Sequence, residues 1–407
     1  MTTQLCDAPL GAILSPHDAA RQPALWGGVF AMTLCVFALI ASEFMPVSLL
    51  TPMAADLHVT EGLAGQGIAI SGAFAVVTSL FIAALAGSMN RKTLLLALTA
   101  LMAVSGAVIA LASSYAIYMA GRALIGVVVG GFWSMSAATA MRLVPANQVP
   151  RALAIFNGGN ALATVVAAPL GSYLGAVIGW RGAFLCLVPV ALIAFAWQWI
   201  SLPSMPVAAR SSGAGNGLRL LRKPLVALGM LGASVFFMGQ FTLFTYVRPF
   251  LETVTRVEVS SLSLILLVIG ITGFIGTMAI GTALRRGFYA TMVAIPVLMA
   301  GIALALVAFG AQTAAAVALL ALWGLVATAA PVGWWAWIAR TFPKNAEAGG
   351  GLLVAVVQLA IALGSTAGGL LFDRSGYQST FAASAALLLA AALLTWLTAR
   401  AEAARPA

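Results

Sequence analysis

The chain is a series of long apolar segments separated by short polar turns. A helix needs about 20 apolar residues to cross the hydrocarbon core of a bilayer, because it rises about 1.5 Å per residue. Twelve segments approach this length: Leu25 to Leu50, Leu63 to Ala86, Leu94 to Ala112, Tyr115 to Ala140, Leu153 to Ile178, Ala183 to Ile200, Leu225 to Leu251, Leu262 to Leu284, Tyr289 to Phe309, Ala314 to Ile338, Leu352 to Leu371 and Phe381 to Leu397. The pattern predicts an all-α membrane protein with twelve transmembrane helices, numbered here as spans 1 to 12.

One long polar gap divides the spans into two sets of six. It covers residues 201–224, and its stretch SSGAGNG is typical of a flexible linker. We therefore expect a cytoplasmic tail (1–24), an N-terminal six-helix half (25–200), a cytoplasmic linker (201–224), a C-terminal six-helix half (225–399) and a cytoplasmic tail (400–407). Basic turns follow the second span of each half, at Arg91-Lys92 and Arg285-Arg286. This weak internal repeat indicates pseudo-symmetric halves with a binding site between them. Any membrane protein with basic cytoplasmic turns would show a similar repeat by coincidence.

Composition excludes a soluble fold, since 62% of the residues are hydrophobic and only 7% are charged, against about 25% charged in soluble domains. The net charge of +10 comes from one side of the predicted bundle. Fifteen of the 20 basic residues fall in the tails, the linker or the turns that lie on the same side of the membrane as the N-terminus. They are Arg21, Arg91, Lys92, Arg142, Arg151, Arg210, Arg219, Arg222, Lys223, Arg285, Arg286, Arg340, Lys344, Arg400 and Arg405. This asymmetry predicts that both termini are cytoplasmic, in a multi-pass protein of a bacterial-type inner membrane, and it explains the charge without nucleic-acid binding.

The other five basic residues are distributed differently. Arg181, Arg256 and Arg374 fall in outer turns, whereas Arg122 and Arg248 fall inside spans. Arg248 is near a helix end, so extension toward the membrane surface explains it as well as a substrate contact does. Residues 1–24 have no apolar run long enough for a signal peptide, and we expect span 1 to remain as an anchor.

Residue types needed for soluble catalysis are scarce. The two histidines, His17 and His58, fall outside the spans, so the sequence predicts no metal site and no buried catalytic histidine. Lys92 has no preceding glycine of the kind a nucleotide-binding P-loop requires. The cysteines, Cys6, Cys35 and Cys186, have no predicted role. We therefore predict a protein that is not an enzyme, holds no cofactor, and relies on an ion gradient or on facilitated diffusion.

Glu43 is the one acidic residue of ten that falls inside an apolar span. A carboxylate in the membrane costs several kcal/mol unless it is paired or solvated, and such residues are usually functional. Desolvation raises the pKa of a carboxyl group and a nearby cation lowers it, so alternation between two environments can load and release a proton. Arg122 lies at a similar depth, roughly 10 Å below the outer surface. The pair is predicted to couple transport to protons, and the alternative is a static ion pair between helices.

Uncharged polar and aromatic residues inside the spans are candidate substrate contacts. They are Phe132, Trp133, Asn157, Asn160, Gln240, Thr242, Tyr246, Trp323 and Gln358. Together they suit a planar ligand with several hydrogen-bond donors and acceptors, although helix packing explains them almost as well. Trp334, Trp335 and Trp337 are near a helix end, where an interfacial aromatic belt is the better explanation. Glycines spaced by four residues, at Gly126 and Gly130 and at Gly171, Gly175 and Gly179, are typical of close helix packing.

Three stretches resemble the major facilitator superfamily, specifically its twelve-helix drug:proton antiporter branch. The helix-4 motif of that branch resembles Arg122-x3-Gly126-x3-Gly130, its helix-5 motif resembles AAPLGSYLGAVIGWRGAF from Ala167, and SEFMPVSLLTPMAADL from Ser42 is similar to a helix-1 segment of arabinose-efflux-like permeases. The resemblance implies a role for Arg122 in proton transfer. It also implies a gating loop at Asn90, Arg91 and Lys92, where Asn90 replaces the acidic residue usual in the family.

Further stretches look like the purine ribonucleoside efflux pumps of this branch: GGFWSMSAATAMRLVP from Gly130, GQFTLFTYVRP from Gly239 and PVGWWAWIAR from Pro331. This resemblance covers essentially the whole chain. It implies export of inosine, guanosine and related purine nucleosides in exchange for protons. Multidrug or sugar efflux by the same mechanism is the alternative, and a channel or a non-transporting membrane enzyme or sensor is a more distant one.

Overall fold

A computed structural model describes residues 24–87, 89–206, 221–341 and 346–404, and every regular element in these ranges is helical. Most of the predicted N-terminal tail and the centre of the predicted linker lie outside them. The predictions for Cys6, His17, Arg21, Arg210, Arg219, Lys344 and Arg405 also fall outside the described residues.

The N-terminal half begins with four single helices: α1 (Trp26–Asp56), α2 (Glu61–Ala86), α3 (Arg91–Ala110) and α4 (Tyr115–Trp133). A short helix, α5 (Ser136–Arg142), and a 3-10 turn (Ala146–Gln148) lead into the long α6 (Val149–Ser201). Thr60 and Ser114 cap α2 and α4 through their hydroxyl groups, and Asn90 caps α3 with its side-chain carbonyl.

The C-terminal half repeats this order. It comprises α7 (Pro224–Phe244), the one-turn α8 (Val247–Phe250) followed by a π turn (Leu251–Thr255), α9 (Val259–Arg286), α10 (Phe288–Phe309), α11 (Thr313–Ala327), α12 (Ala330–Thr341) and α13 (Ala346–Ala403). Apolar side chains on the outer surface, such as Leu111 and Ile200, are 78% and 81% exposed. Such exposure suits contact with lipid.

Twelve membrane spans are present in the described residues. Ten helices are apolar and long enough to cross a bilayer, and two of them, α6 and α13, are each a pair of helices joined at a glycine corner, Gly179 and Gly376. The predicted spans 4 and 10 are interrupted, because α4 gives way to α5 after Trp133 and α11 gives way to α12 after Ala327. Breaks at matching positions in both halves are a common feature of transporter binding sites.

The two glycine corners reveal a repeat that the basic turns only suggested. Gly179 has φ 78° and ψ 163°, and Gly376 has φ 75° and ψ −176°, a backbone conformation accessible essentially only to glycine. The sequences that follow, GWRGAF and GYQSTF, each place a buried phenylalanine five residues later, Phe184 and Phe381. In both halves the phenylalanine ring packs edge-to-face against the aromatic residue directly after the glycine, which is Trp180 in one half and Tyr377 in the other.

Each half has its own apolar core. One large cluster is built almost entirely from residues 226–391, and two others come from residues 29–205. Within the N-terminal half, Gly126 and Gly130 lie against the backbone of α2, and Gly171 and Gly175 lie against α1. The predicted close packing is therefore confirmed at these four glycines, whereas a Cβ at Gly179 would meet no neighbour within 4 Å and that residue forms the corner instead.

Candidate functional site

A cavity of about 700 Å³ separates the two halves, a size typical of small-molecule sites. Its wall comes from α1, α4 and α6 on one side and from α7, α9, α11, α12 and α13 on the other. Most of the wall is aromatic or aliphatic, and its polar side chains include Glu43, Asn157, Asn160, Gln240 and Gln358. Among the described lining residues, Glu43 is the only charged one.

Glu43 is 4% exposed and projects from the middle of α1 into this cavity. Its Oε1 atom accepts a hydrogen bond of 3.0 Å from Nε2 of Gln358 on α13. This bond joins an acid of the N-terminal half to an amide of the C-terminal half. A change in the charge of Glu43 therefore changes a contact between the halves directly.

Arg122 does not pair with the Glu43 carboxylate. Its guanidinium is fully buried and donates to three backbone carbonyls, those of Gly67 at 2.9 Å, Ser42 at 2.8 Å and Glu43 at 3.2 Å. The Ser42 carbonyl needs an outside donor because Pro46, four residues later in α1, has no N–H. The static ion pair considered as the alternative is therefore not observed. Arg122 is absent from the cavity wall and contacts the backbone that carries Glu43.

Several buried polar atoms on the wall have no protein partner in the described structure. They are Nε1 of Trp323, Oε1 of Gln240 and Oε1 of Gln358. Buried donors and acceptors are normally satisfied, and an exception calls for an explanation such as a bound ligand or water. The wall side chains thus include one indole N–H donor and two amide acceptors that are enclosed in the protein without a partner.

Six of the nine candidate substrate contacts line the cavity: Trp133, Asn157, Asn160, Gln240, Trp323 and Gln358. The other three lie in the packing between helices. Phe132 belongs to the N-terminal core, Thr242 donates to the carbonyls of Met238 and Gly364, and Tyr246 donates to the carbonyl of Ser365. These three side chains point away from the cavity because neighbouring residues on a helix face different directions.

Sequence reasoning missed part of the aromatic wall. Phe44 lines the cavity and stacks on Phe241 with ring centroids 5.8 Å apart. Trp334 and Trp335 also line it. Trp334 is 3% exposed, so the predicted interfacial position is wrong for this residue, whereas Trp335 is 47% exposed. Trp337 is buried beside Tyr289. Phe44 directly follows Glu43 in the sequence, and this position next to a predicted site residue was the signal by which Phe44 could have been identified.

The cavity reaches one face of the molecule and is closed at the other. It extends from Glu43 toward Leu153 and the half-exposed Trp335, near the helix ends that carry Arg151 and Arg340. Across the opposite face, hydrogen bonds join the halves. They run from Thr60 and Gly62 to the Asp373 carboxylate, from Thr366 to Gln66, from Ser263 to Ser172, and from Arg248 to the Ser48 carbonyl. Neither the surface position nor the substrate contact considered for Arg248 is observed, since it is 5% exposed and absent from the cavity wall.

The proposed gating loop lies beside α6 in the same half. Asn90 accepts hydrogen bonds from the backbone N–H groups of Lys92 at 2.9 Å and Met205 at 3.0 Å, and donates to the Ser204 hydroxyl at 2.6 Å. The last of these bonds needs a donor that an acidic side chain lacks when ionised. The ion pairs of the described residues, Arg181–Asp56 and Arg248–Glu252, include neither Arg91 nor Lys92.

Comparisons with known proteins agree with this architecture. The sequence profile described as "Major Facilitator Superfamily" matches residues 32–350. The chain is 68% identical over 406 residues to "Transcription regulatory protein OpdE" of Pseudomonas aeruginosa, covering 99% of each protein. It is 40% identical over 377 residues to "Purine ribonucleoside efflux pump NepI" of Salmonella typhimurium, covering 93% of this chain and 94% of that protein.

Solved structures show the same fold at low identity. A variant of the nucleoside transporter NupG matches with a TM-score of 0.76 at 12% identity, covering 91% of this chain and 99% of that one. A bacterial homologue of the human lysosomal transporter Spinster, inward-facing and unoccupied, matches with a TM-score of 0.75 at 14% identity, covering 93% and 98%. With twelve spans in two repeated halves around a central cavity, this chain belongs to the Major Facilitator Superfamily of membrane transporters.

Proposed function

We propose that this transporter exports purine ribonucleosides, such as inosine and guanosine, in exchange for protons by alternating access. The observation that carries the proposal is the position of Glu43, a buried acid on the cavity wall whose carboxylate is hydrogen-bonded across the halves to Gln358. A proton and a substrate would compete for this position, because protonation of Glu43 and occupation of the cavity both alter the Glu43–Gln358 contact.

The composition of the wall supports an uncharged, planar substrate. Trp323 offers a donor, Gln240 and Gln358 offer acceptors, and the rings of Phe44 and Phe241 provide an apolar surface. A purine carries both donors and acceptors on its edge and an extended π-face for stacking. Since no described lining residue is basic, a phosphate group would face Glu43 without a counter-charge. We therefore propose nucleosides, and not nucleotides, as the substrate class.

The direction in which the cavity opens supports the first step of the proposed transport cycle. The open face is the one rich in basic residues, and such faces are cytoplasmic by the positive-inside rule. We propose an inward-open state in a bacterial inner membrane with both termini in the cytoplasm. A nucleoside enters from the cytoplasm while Glu43 is ionised, the halves rock, and the nucleoside leaves outside as Glu43 takes up a proton. The protonated carrier then returns and releases the proton inside.

Transport in proteoliposomes tests this function. Vesicles loaded with labelled inosine or guanosine should expel the nucleoside faster when an inward proton gradient is imposed, and collapse of the gradient by a protonophore should abolish the acceleration. Inosine monophosphate should not be transported. Proton-driven transport of a cationic dye or a sugar, without transport of either nucleoside, would contradict the purine assignment and support the multidrug or sugar alternative.

A second candidate function is an influence on transcription, which is suggested by the name of the relative that is 68% identical. We infer that any such effect would be indirect, through export of a small molecule that a separate regulator senses. The described residues are almost entirely membrane helices. Transcript levels should then change on deletion of the transporter and remain changed when a transport-inactive Glu43→Gln variant replaces it. Full restoration by that inactive variant would refute the indirect route.

A further inference from the structure

The first helix contains a backbone carbonyl that cannot be satisfied within the helix. Pro52 lies inside α1 and has no N–H to donate to the carbonyl of Ser48, four residues earlier. A buried carbonyl without a donor is destabilising. The donor comes from Arg248, whose Nη1 atom bonds to this carbonyl from α8 in the other half.

Arg248 is held ready for this contact by its own half. It is 5% exposed, and its Nε atom donates to Oε1 of Glu252, one turn later, at 2.8 Å. The side chain therefore spans from a carboxylate in the C-terminal half to a carbonyl in the N-terminal half. Hydrogen bonds from a charged group are stronger than those between neutral groups, so this contact favours the closed state of its face.

A second contact lies on the same face and has the opposite charge. Asp373, near the end of the first part of α13, accepts hydrogen bonds from the Thr60 hydroxyl at 2.6 Å and from the Gly62 N–H at 3.0 Å. Thr60 and Gly62 form the start of α2, where free N–H groups favour a negative charge. An acid of the C-terminal half thus caps a helix of the N-terminal half.

We propose that Arg248 and Asp373 form a two-point latch that closes the outer face and must release in each transport cycle. The inference rests on the alternating access proposed above. Both contacts end on backbone groups of the N-terminal half, the Ser48 carbonyl and the Gly62 N–H. When the halves separate on this face, both side chains stay with the C-terminal half and both backbone groups lose their partner. Arg248 and Asp373 are positioning residues that set the balance between inward-open and outward-open states.

Distance measurements between spin labels test the latch without any substrate. Labels at Ser113→Cys and Ala311→Cys, two exposed turn positions in opposite halves, are introduced after replacement of Cys6, Cys35 and Cys186 by alanine. The ligand-free, full-length protein in lipid nanodiscs should show mainly the short distance of the closed face. Asp373→Asn, and the double variant Arg248→Met with Glu252→Gln, should each raise the ratio of long to short distances about tenfold.

Asp56→Asn is the matched control. Asp56 lies near the same face and pairs with Arg181 and Trp180 inside the N-terminal half, so its loss should leave the ratio unchanged. The latch is refuted if Asp373→Asn and the double variant both keep the wild-type ratio, or if Asp56→Asn shifts it equally. Because no substrate is present, a failure of nucleoside transport would leave this result unaffected.

The two prolines of α1 provide an independent test. Pro52→Ala supplies the N–H that the Ser48 carbonyl lacks, so the carbonyl depends less on Arg248, and the open ratio should rise roughly threefold. Pro46→Ala makes the same change where the Ser42 carbonyl is bonded by Arg122 of the same half, and should leave the ratio unchanged. Equal responses of the two proline variants would refute the role assigned to Arg248.

Discussion

Gln358 donates a hydrogen bond of 3.0 Å to the carboxylate of Glu43, and the two residues belong to different halves of the transporter. A carboxylate is a stronger acceptor than the neutral acid, so protonation of Glu43 weakens the contact. The pair therefore provides a short physical connection between a proton and the relative movement of the halves.

Replacement of Glu43 by glutamine removes the titratable group while preserving size and the ability to accept from Gln358. We expect the Glu43→Gln variant to lose proton-driven export and to retain inosine binding within roughly tenfold of the wild-type affinity, since one altered hydrogen bond is worth about 1 kcal/mol. Flux in proteoliposomes and calorimetric titration measure the two properties. Asp56→Asn, which changes an acid outside the cavity wall, should retain export. Full proton-driven export by Glu43→Gln would contradict the coupling role.

Replacement of Arg122 by lysine tests its structural contacts. Lysine keeps the charge but lacks the planar fork that reaches the carbonyls of Gly67, Ser42 and Glu43 together. We expect a loss of about 1.5–3 kcal/mol for each bond that is not replaced, observed as a lower midpoint of thermal unfolding in detergent. Arg285→Lys, at an exposed side chain that bonds to the hydroxyl of Thr282, should change the midpoint little. An unchanged midpoint for Arg122→Lys would show that the three bonds contribute little.

Replacement of Trp323 by phenylalanine removes the unpaired indole N–H from the cavity wall. If this N–H binds a purine acceptor, the dissociation constant for inosine should rise about threefold to tenfold, corresponding to roughly 1 kcal/mol. Thermal stabilisation at increasing inosine concentration measures the change. Trp199→Phe, on the lipid-facing surface, is the control. Equal affinities for wild type and Trp323→Phe would remove this residue from the binding site.

Two glycines of the C-terminal half should respond to alanine in opposite directions. A Cβ at Gly276 would collide with the Leu325 carbonyl of α11, whereas a Cβ at Gly301 would meet no atom within 4 Å. Gly276→Ala should lower the midpoint of thermal unfolding. Gly301→Ala should raise it slightly, because alanine is favoured in a helix by roughly 0.5–1 kcal/mol. Similar effects of both variants would contradict the packing between α9 and α11.

Orientation is tested by labelling in intact cells. A membrane-impermeant maleimide should react with Ser113→Cys, in an outer turn, and should reach Arg222→Cys, in the predicted cytoplasmic linker, only after permeabilisation. Both substitutions are made in the variant without native cysteines. The reverse pattern would invert the proposed topology and would make the cavity outward-open.

The twelve spans, Glu43 and the four amide side chains of the cavity wall were predictable, because polar residues are rare inside apolar membrane spans. A long apolar segment that contains a carboxylate or an amide stands out. The partners of the arginines were not predictable, because Arg122 and Arg248 bond to backbone carbonyls. Every residue has such a carbonyl, so the residue type does not show which one accepts the bond. The prolines that free these carbonyls were visible, but only the fold shows which arginine reaches each one. The direction of Phe132, Thr242 and Tyr246 likewise depends on helix rotation, which span boundaries do not fix.

The glycine corners at Gly179 and Gly376 limit which mutations the gene tolerates at these two codons. Every amino acid that a single-base change can substitute for glycine carries a Cβ, and none adopts this backbone conformation without strain. At Gly179 the surrounding space would accommodate the extra atom, so the restriction there comes from the torsion angles alone. Deep mutational scanning should therefore find both codons intolerant to missense change, including at the corner where no neighbouring atom stands in the way.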